Sequence, residues 1–416
     1  MAFQEFTAAT GILQDMYKGF KNQIDRELPP LWKILKPSAD KVEGQQVKFS
    51  AQVENPQGVA SRLTASQALP AAVPGSYIEL AVSTGRIYGV LEFDSKLLIA
   101  AGNSAGGRRA YINYLENELK GLKNTVIMDL SRQAFGAKTG FIGVCTATGT
   151  GAYTVTFAAG TNMEYFVVGQ HIDIVTTATG VAITLGSDRT ITAVDVTNLK
   201  ITLNTAGGVV TCDTSMSVTR QGAYNAEMTG LSSIVSATAD IYGITTATSR
   251  RWQSYVKASF GAFAVKTLVK QALIAKTQGG AYVDILVSCP DLQAQYWYEL
   301  TGTRTYSVDR SPIPVQNIGM GYMGLEIMVQ GHKATWIADD NCPTGTIYGL
   351  RKEDIGIQHL GEMDFMKVGG EILLPNIYGS AGTPTYKAVL EYYPEMICTR
   401  RNSHFKMTEV TDISGW

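Results

Sequence analysis

Residues 40–100 constrain the fold more than any other stretch of this chain. Val47, Phe49, Ala51 and Val53 alternate with polar residues, and Ile78, Leu80 and Val82 repeat the alternation on the way back. A period of two puts alternate side chains on opposite faces of a strand, so both runs read as strands with one apolar face. Extended character continues over 87–93. Between the runs, Pro56, Gly58, Pro70, Pro74 and Gly75 mark an irregular tip. A two-stranded ribbon is marginal in water by itself. The apolar face of this one must therefore lie on another domain or on another copy of the chain.

The flanking segments read differently. Leu13, Met16, Phe20, Ile24 and Leu28 lie at helical spacing before Pro29-Pro30, which predicts a helix on an N-terminal arm, stopped by the prolines. After Gly106-Gly107, residues 108–135 carry Ile112, Leu115, Leu119, Leu122, Val126 and Leu130 three and four apart, and Gly136 is a natural stop. That is a helix of about 40 Å at 1.5 Å per residue, with Gly121 its weak point. Residues 141–220 change texture: no proline, eight charged residues and 18 threonines in 80 positions. Alternating runs at 154–157, 165–168, 171–175, 190–194, 199–203 and 215–219 predict six short strands, a small barrel or sandwich inserted as a module of its own. Beyond 222 the pattern is mixed. Helices are predicted over 263–277, closed by Gly279-Gly280, and from Pro290 to 300. Strands are predicted at 282–288, 325–329, 335–338 and 388–393. The fold class is α+β, one integrated body carrying one all-β insertion.

Charge narrows the function classes. Lys plus Arg number 35 and Asp plus Glu 36 in 416 residues, a formal net charge of −1. Counterion-driven binding to nucleic acid or anionic membrane needs a surplus of cations, so neither is expected as a sequence-specific or electrostatic partner. Charged residues are 17 % of the chain, against a usual ~25 %, and an under-charged surface favours association. The first residues, from Met1 to Phe6, have neither a basic nor an apolar signal region, so no signal peptide is expected. The longest uncharged stretch, 139–163, is rich in Thr and Gly and fails as a lipid-spanning helix. The five cysteines, Cys145, Cys212, Cys289, Cys342 and Cys398, are too scattered for a zinc knuckle or a redox pair and read as buried free thiols in a reducing cytosol.

No constellation of residues carries catalysis. Residues 319–324 spell G-x-G-x-x-G, but the fingerprint works only between a strand and a helix; here Pro312-Ile313-Pro314 precedes it and the apparent strand 325–329 follows. His171, His332, His359 and His404 lack the paired spacing of zinc ligands, although His332 lies near Asp339, Asp340 and Cys342. There is no G-x-S-x-G elbow. Arg108-Arg109, Arg250-Arg251 and Arg400-Arg401 read as a solvated face or inter-subunit ion pairs, and Tyr296-Trp297-Tyr298 as core or interface packing. No catalytic, cofactor-binding or metal-binding residue is assigned, and the chain is not expected to be an enzyme. An α/β enzyme with a β-barrel accessory domain would need convergent polar residues that the sequence does not display.

The order of the zones is similar to that of tailed-phage major capsid proteins with the Hong Kong 97-like fold. Leu69-Pro70 at the ribbon tip, Ser83-Thr84-Gly85-Arg86-Ile87-Tyr88 ahead of the long helix, 225–231 leading out of the insertion and 321–327 entering a strand all resemble that family. The resemblance implies an N-terminal arm over 1–39, an E-loop over 40–100 and a peripheral domain with its spine helix over 101–140. It then implies an inserted β-barrel or sandwich over 141–221, a return segment over 222–253, an axial domain over 254–380 and a C-terminal strand over 381–416.

The function implied is a shell-forming subunit, assembling as pentamers and hexamers into an icosahedral phage head in the host bacterial cytoplasm. Packaged double-stranded DNA would lie on the inner face without sequence specificity. An encapsulin-type compartment is the alternative on the same fold. Arg62, Leu63, Leu69 and Pro70 are the expected inter-subunit contacts. Because the arm starts at once, a separate scaffolding protein is the implied partner, with a portal protein and a decoration protein. No lysine lies between Glu54 and Ser95, so the lysine–asparagine cross-link of some members is not expected.

Overall fold

The computed structural model describes residues 29–35, 37–40, 42–62, 68–94, 105–146, 153–205, 208–246, 249, 251–302, 325–329, 332–368, 372, 374–375 and 385–411. The predicted helix over 13–28 lies outside them. Pro30 opens a helix of its own, Pro30–Leu35, because a proline at the first helical position lacks only an N–H that would have no partner anyway.

The ribbon is formed by Gln46–Glu54 and Ser76–Ser83, antiparallel, with Val47 opposite Val82, Phe49 opposite Leu80 and Ala51 opposite Ile78. Its apolar face is covered by the chain itself. Val47, Phe49, Ala51, Leu80 and Val82 join one core with Val126, Leu130 and Phe135 of the long helix and with Ile241 and Ile244. The Phe49 ring meets Tyr242 edge-on at 5.7 Å. Of the two covers the sequence allowed for, another part of the same chain is the one present at the ribbon's base.

The long helix runs Ala105–Phe135, 31 residues, which is roughly 46 Å. It lies against the strand Ile87–Asp94, where Gly89 lets it come close: a Cβ there would sit 3.0 Å from Leu122 Cδ1. That strand pairs along its length with Thr385–Tyr392, which also takes Asp364–Phe365 and Leu374–Pro375 as neighbours. Deeper in the body is a six-stranded sheet in the order Tyr255–Lys257, Phe405–Met407, Ile347–Leu350, Ile285–Ser288, His332–Ala338, Leu325–Val329. Its central strand pairs parallel with His332–Ala338 and antiparallel with Ile347–Leu350. The helices Val265–Gly279 and Pro290–Gly302 cover it through Leu268, Ala272, Leu292 and Tyr296 around a fully buried Trp336. The first of these helices ends at Gly280, left-handed at φ +70, whose N–H bonds the Lys276 carbonyl.

Residues 141–220 form a second sheet with a core of its own. The order is Phe141–Val144, Met216–Arg220, His171–Thr176, Arg189–Asp195, Lys200–Leu203, Thr154–Thr156. The two outer strands then meet: Cys145 bridges Phe157, Thr146 N–H reaches Thr156 O at 2.8 Å and Ala158 N–H reaches Val144 O at 3.0 Å. The sheet closes into a barrel around Val155, Ile172, Ile174, Ile191, Ile201 and Val218. One run predicted as a strand is not one. Within 165–168 the chain leaves a short turn, Met163–Tyr165, capped by Asn162, and the buried Phe166 stacks on Phe157 at 4.6 Å while Val167 and Val168 face water. The strand Phe141–Val144 was not foreseen; Gly143 breaks its apolar alternation.

Candidate assembly surfaces

Past its base the ribbon ends in a tip of residues 55–62 and 68–75, where the side chains stand in water. Val59 is 90 % exposed and Leu69 88 %, and Val73 and Tyr77 are exposed as well. Proline and glycine keep this segment out of a regular ladder, so its backbone closes through single bonds such as Gln57 N–H to Val73 O at 3.1 Å. Arg62 braces the tip: its Nε donates to the Ala68 carbonyl at 2.6 Å. Three of the four expected contact residues are thus on one surface feature, with Arg62 serving its own backbone, Leu69 exposed and Pro70 half-buried. Leu63 lies outside the described residues. Fully covering a side chain such as Leu69 is worth about 1.5–3 kcal/mol, which makes the tip a place where binding has something to gain.

Two polar centres that the sequence did not reveal hold the rest in position. The first joins the barrel to the long helix. Asp129 Oδ1 accepts from Arg132 Nε at 3.0 Å and pairs with Arg220 Nε at 2.9 Å, while Arg132 also bonds Glu227. Burial by itself would raise the Asp129 carboxyl, but the guanidiniums of Arg132 and Arg220 outweigh it and hold the group below the usual carboxylate range. Burial prevails at Glu227 and raises it, in spite of Arg132. Arg220 lies on the barrel's last strand and Glu227 in the segment that leaves it, so the charges clamp the barrel to the helix. Asp129 and Arg132 are three apart, a spacing that in sequence looks like an ordinary surface pair.

The second centre is Asp339, also buried, with its carboxyl raised chiefly by that burial. It accepts from Leu31 N–H at 3.3 Å and from Asn341 N–H at 3.0 Å, and Asn341 Oδ1 in turn accepts from Tyr165 OH at 3.2 Å. One carboxylate therefore links the helix at 30–35, the six-stranded sheet and the barrel.

No protein-family model and no curated relative matches the sequence. Solved structures do. The chain aligns with the cyanophage A-1(L) capsid asymmetric unit over 95 % of its own length and 96 % of that chain, at a TM-score of 0.51 and 12 % identity. The fold is the Hong Kong 97-like capsid fold. The capsid of an empty GTA particle aligns over 99 % of this chain and 100 % of that one at a TM-score of 0.44 and 9 % identity. The holo-SrpI encapsulin complex from Synechococcus elongatus PCC 7942 aligns over 99 % and 96 % at 0.40, also with 9 % identity.

Within this capsid fold the other sequence candidates take structural places. The G-x-G-x-x-G at 319–324 lies outside the described residues, and the strand predicted after it is present. His332 bonds Asp284 at 2.8 Å and stacks on Tyr282; His171 bonds Asp188 at 2.5 Å. His404 is fully buried, and burial together with Arg351, Arg401 and Arg400 pushes it down to about 3. Among the described residues no group of His, Cys, Asp or Glu is arranged to hold a metal, and no helix is long and apolar enough to cross a membrane. All five thiols are free and buried. Tyr296 is buried against Trp336 at 4.9 Å. The reading of Arg400-Arg401 as a solvated face or an ion pair needs correction at Arg401. Its guanidinium is fully buried and donates to five carbonyls, those of Ser233, Ile234, Ser236, Ala239 and Trp252, at 2.9–3.0 Å. Arginine is the one side chain with five donors in a fixed fork, and here it stitches an irregular segment together through carbonyls.

Proposed function

We propose that the chain is a major capsid protein, assembling as pentamers and hexamers into an icosahedral phage head around double-stranded DNA. The observation that carries this reading is the capsid fold, aligned over nearly the whole of this chain and of the cyanophage chain. In its terms, 1–39 is the N-terminal arm, 40–100 the E-loop, 101–140 the peripheral domain with its spine helix, 141–221 the inserted barrel, 222–253 the return segment, 254–380 the axial domain and 381–416 the C-terminal strand. The ribbon tip, with Arg62, Leu63, Leu69 and Pro70, reaches a neighbouring subunit. Closed symmetry then uses up such exposed surfaces around the shell. A separate scaffolding protein, a portal protein and a decoration protein are the partners of this reading, and the shell is the site of the protein in the virion. The clamp at Asp129 and the Tyr165–Asn341 bond favour a barrel that stabilises the subunit over one that projects freely.

The test is expression with the scaffold followed by sedimentation and electron microscopy. Megadalton shells built of pentamers and hexamers are expected, and Leu69→Asp should leave folded, unassembled subunits. A stable monomer under all assembly conditions overturns the proposal. Shells that hold a protein cargo and no DNA would assign the chain to an encapsulin-type compartment instead.

A further inference from the structure

We propose that the N-terminal arm, residues 1–28, folds back on its own subunit and docks its apolar stripe on the turn at 167–170 of the inserted barrel. That turn is built to hold two valines in water. Gln170 N–H reaches the Val167 carbonyl at 3.1 Å, and Gly169 takes a left-handed φ of +89, as the third position of a type II turn requires. Two more bonds fix it: Val167 N–H donates to Gln170 Oε1 at 3.1 Å, and Gly169 N–H to the Ile191 carbonyl at 2.8 Å. Phe166 goes inward to stack on Phe157, while Val167 and Val168 are each 61 % exposed. Single apolar residues scattered over a surface need no explanation. Two stiff, β-branched ones on one braced turn form a rigid apolar knob.

The knob lies close to where the arm begins. The described chain starts at Pro29 and enters the helix Pro30–Leu35, whose Leu31 N–H is held by Asp339 at 3.3 Å. Asp339 also accepts from Asn341 N–H at 3.0 Å, and Asn341 Oδ1 accepts from Tyr165 OH at 3.2 Å. Val167 and Val168 follow Tyr165 by two and three residues, so their Cα atoms lie within about 8 and 11 Å of its own at 3.8 Å per link. Ahead of Pro29, the apolar positions Leu13, Met16, Phe20, Ile24 and Leu28 keep helical spacing. As a helix, residues 13–28 measure about 24 Å, long enough to carry the stripe from Pro29 past the turn.

An amphipathic helix has to bury such a stripe. A tethered segment meets a site beside its own anchor at an effective concentration in the millimolar range, which favours the arm over a second copy or a separate protein. The inference concerns the unassembled subunit and does not rest on the shell reading.

The test uses full-length subunits below the concentration at which they assemble. All five native thiols are buried, so Val168→Cys adds one surface reporter. A maleimide should label it at least roughly tenfold more slowly than in a chain that also carries Phe20→Asp and Ile24→Asp. In the reverse direction, Val167→Asp with Val168→Asp should speed trypsin cleavage in the arm, at Lys18, Lys21 and Arg26, by a similar factor. Hydrogen exchange of His171–Thr176 should stay unchanged, which shows that the barrel of that variant is folded. Equal labelling rates in the two reporter chains overturn the proposal, and so does arm cleavage at one rate with and without the valine substitutions. Reporter protection that grows with protein concentration assigns the turn to a second copy. Protection that develops only in assembled shells assigns it to a neighbour, and either result overturns docking within the subunit.

Discussion

The barrel and the ribbon are both antiparallel, both alternate apolar and polar residues, and both lie in charge-poor sequence, yet they solve the problem of a sheet's exposed edges in opposite ways. The barrel returns to its own first strand through Cys145 and Phe157, so its two outer strands cover each other's edges there. The ribbon does not close. Its base is stable because Phe49, Val47 and Leu80 enter the core of the body, and its tip keeps Val59 and Leu69 in water. Low charge thus goes with two arrangements in one chain: a sheet closed on itself, and a ribbon that ends in an open tip.

If the two regions are as separate as this, damage should stay where it is made. The largest effect is expected at Arg401. Arg401→Ala takes a donor from five carbonyls, of which Ile234 and Ser236 keep Ser254 as a second donor, and should cost the body about 5 kcal/mol. Hydrogen exchange should then show the ribbon and long helix opening while amides in 141–220 stay protected; a barrel that opens with them would end the comparison. Next come the aromatic anchors. Phe49→Ala and Phe157→Ala should each cost about 3–5 kcal/mol, the first loosening only the ribbon and the second only the barrel, as resolved by exchange on the same samples.

Smaller and confined to the body is a pH effect. The folded His404 sits at about 3 against ~6.5 unfolded, so the unfolded chain binds the extra proton and the stability from this group is lost as pH falls below 6.5. From pH 7 to 5 the native chain should lose about 2 kcal/mol relative to His404→Gln in urea unfolding, whose amide oxygen can still accept from Arg351 N–H. The raised carboxyls of Glu227 and Asp339 act with the opposite sign, equally in both chains, and cancel from the difference. Smallest of all, Leu69→Ser should change the stability of the isolated subunit by no more than about 0.5 kcal/mol, while assembly, read by sedimentation, suffers. A large stability loss there would mean that the tip is already covered.

What could be read from the sequence was whatever repeats with a local period. The strand at 325–329, the helix ending at Phe135 and five of the barrel's six predicted strands follow alternation or 3–4 spacing and are present within a residue or two. The run at 165–168 misled because its alternation reflects one buried ring, Phe166, and not a strand. What could not be read was set by contacts across long separations. Nothing near Arg401 in sequence announces that it serves carbonyls more than 140 positions away, and nothing near Asp129 announces Glu227. The ribbon tip was legible for a different reason: Pro56, Gly58, Pro70, Pro74 and Gly75 are local signals of a segment that keeps out of a ladder.

The barrel's first and last strands are hydrogen-bonded partners, with Phe141 opposite Thr219. The chain therefore enters and leaves this module at a single doorway, a few ångströms wide. A domain joined in that way can be lengthened, replaced or exchanged for a foreign one without moving either end of the host fold. The clamp at Asp129 and Glu227 sits at the same doorway, so whatever passenger is spliced in there inherits a ready-made hinge pin.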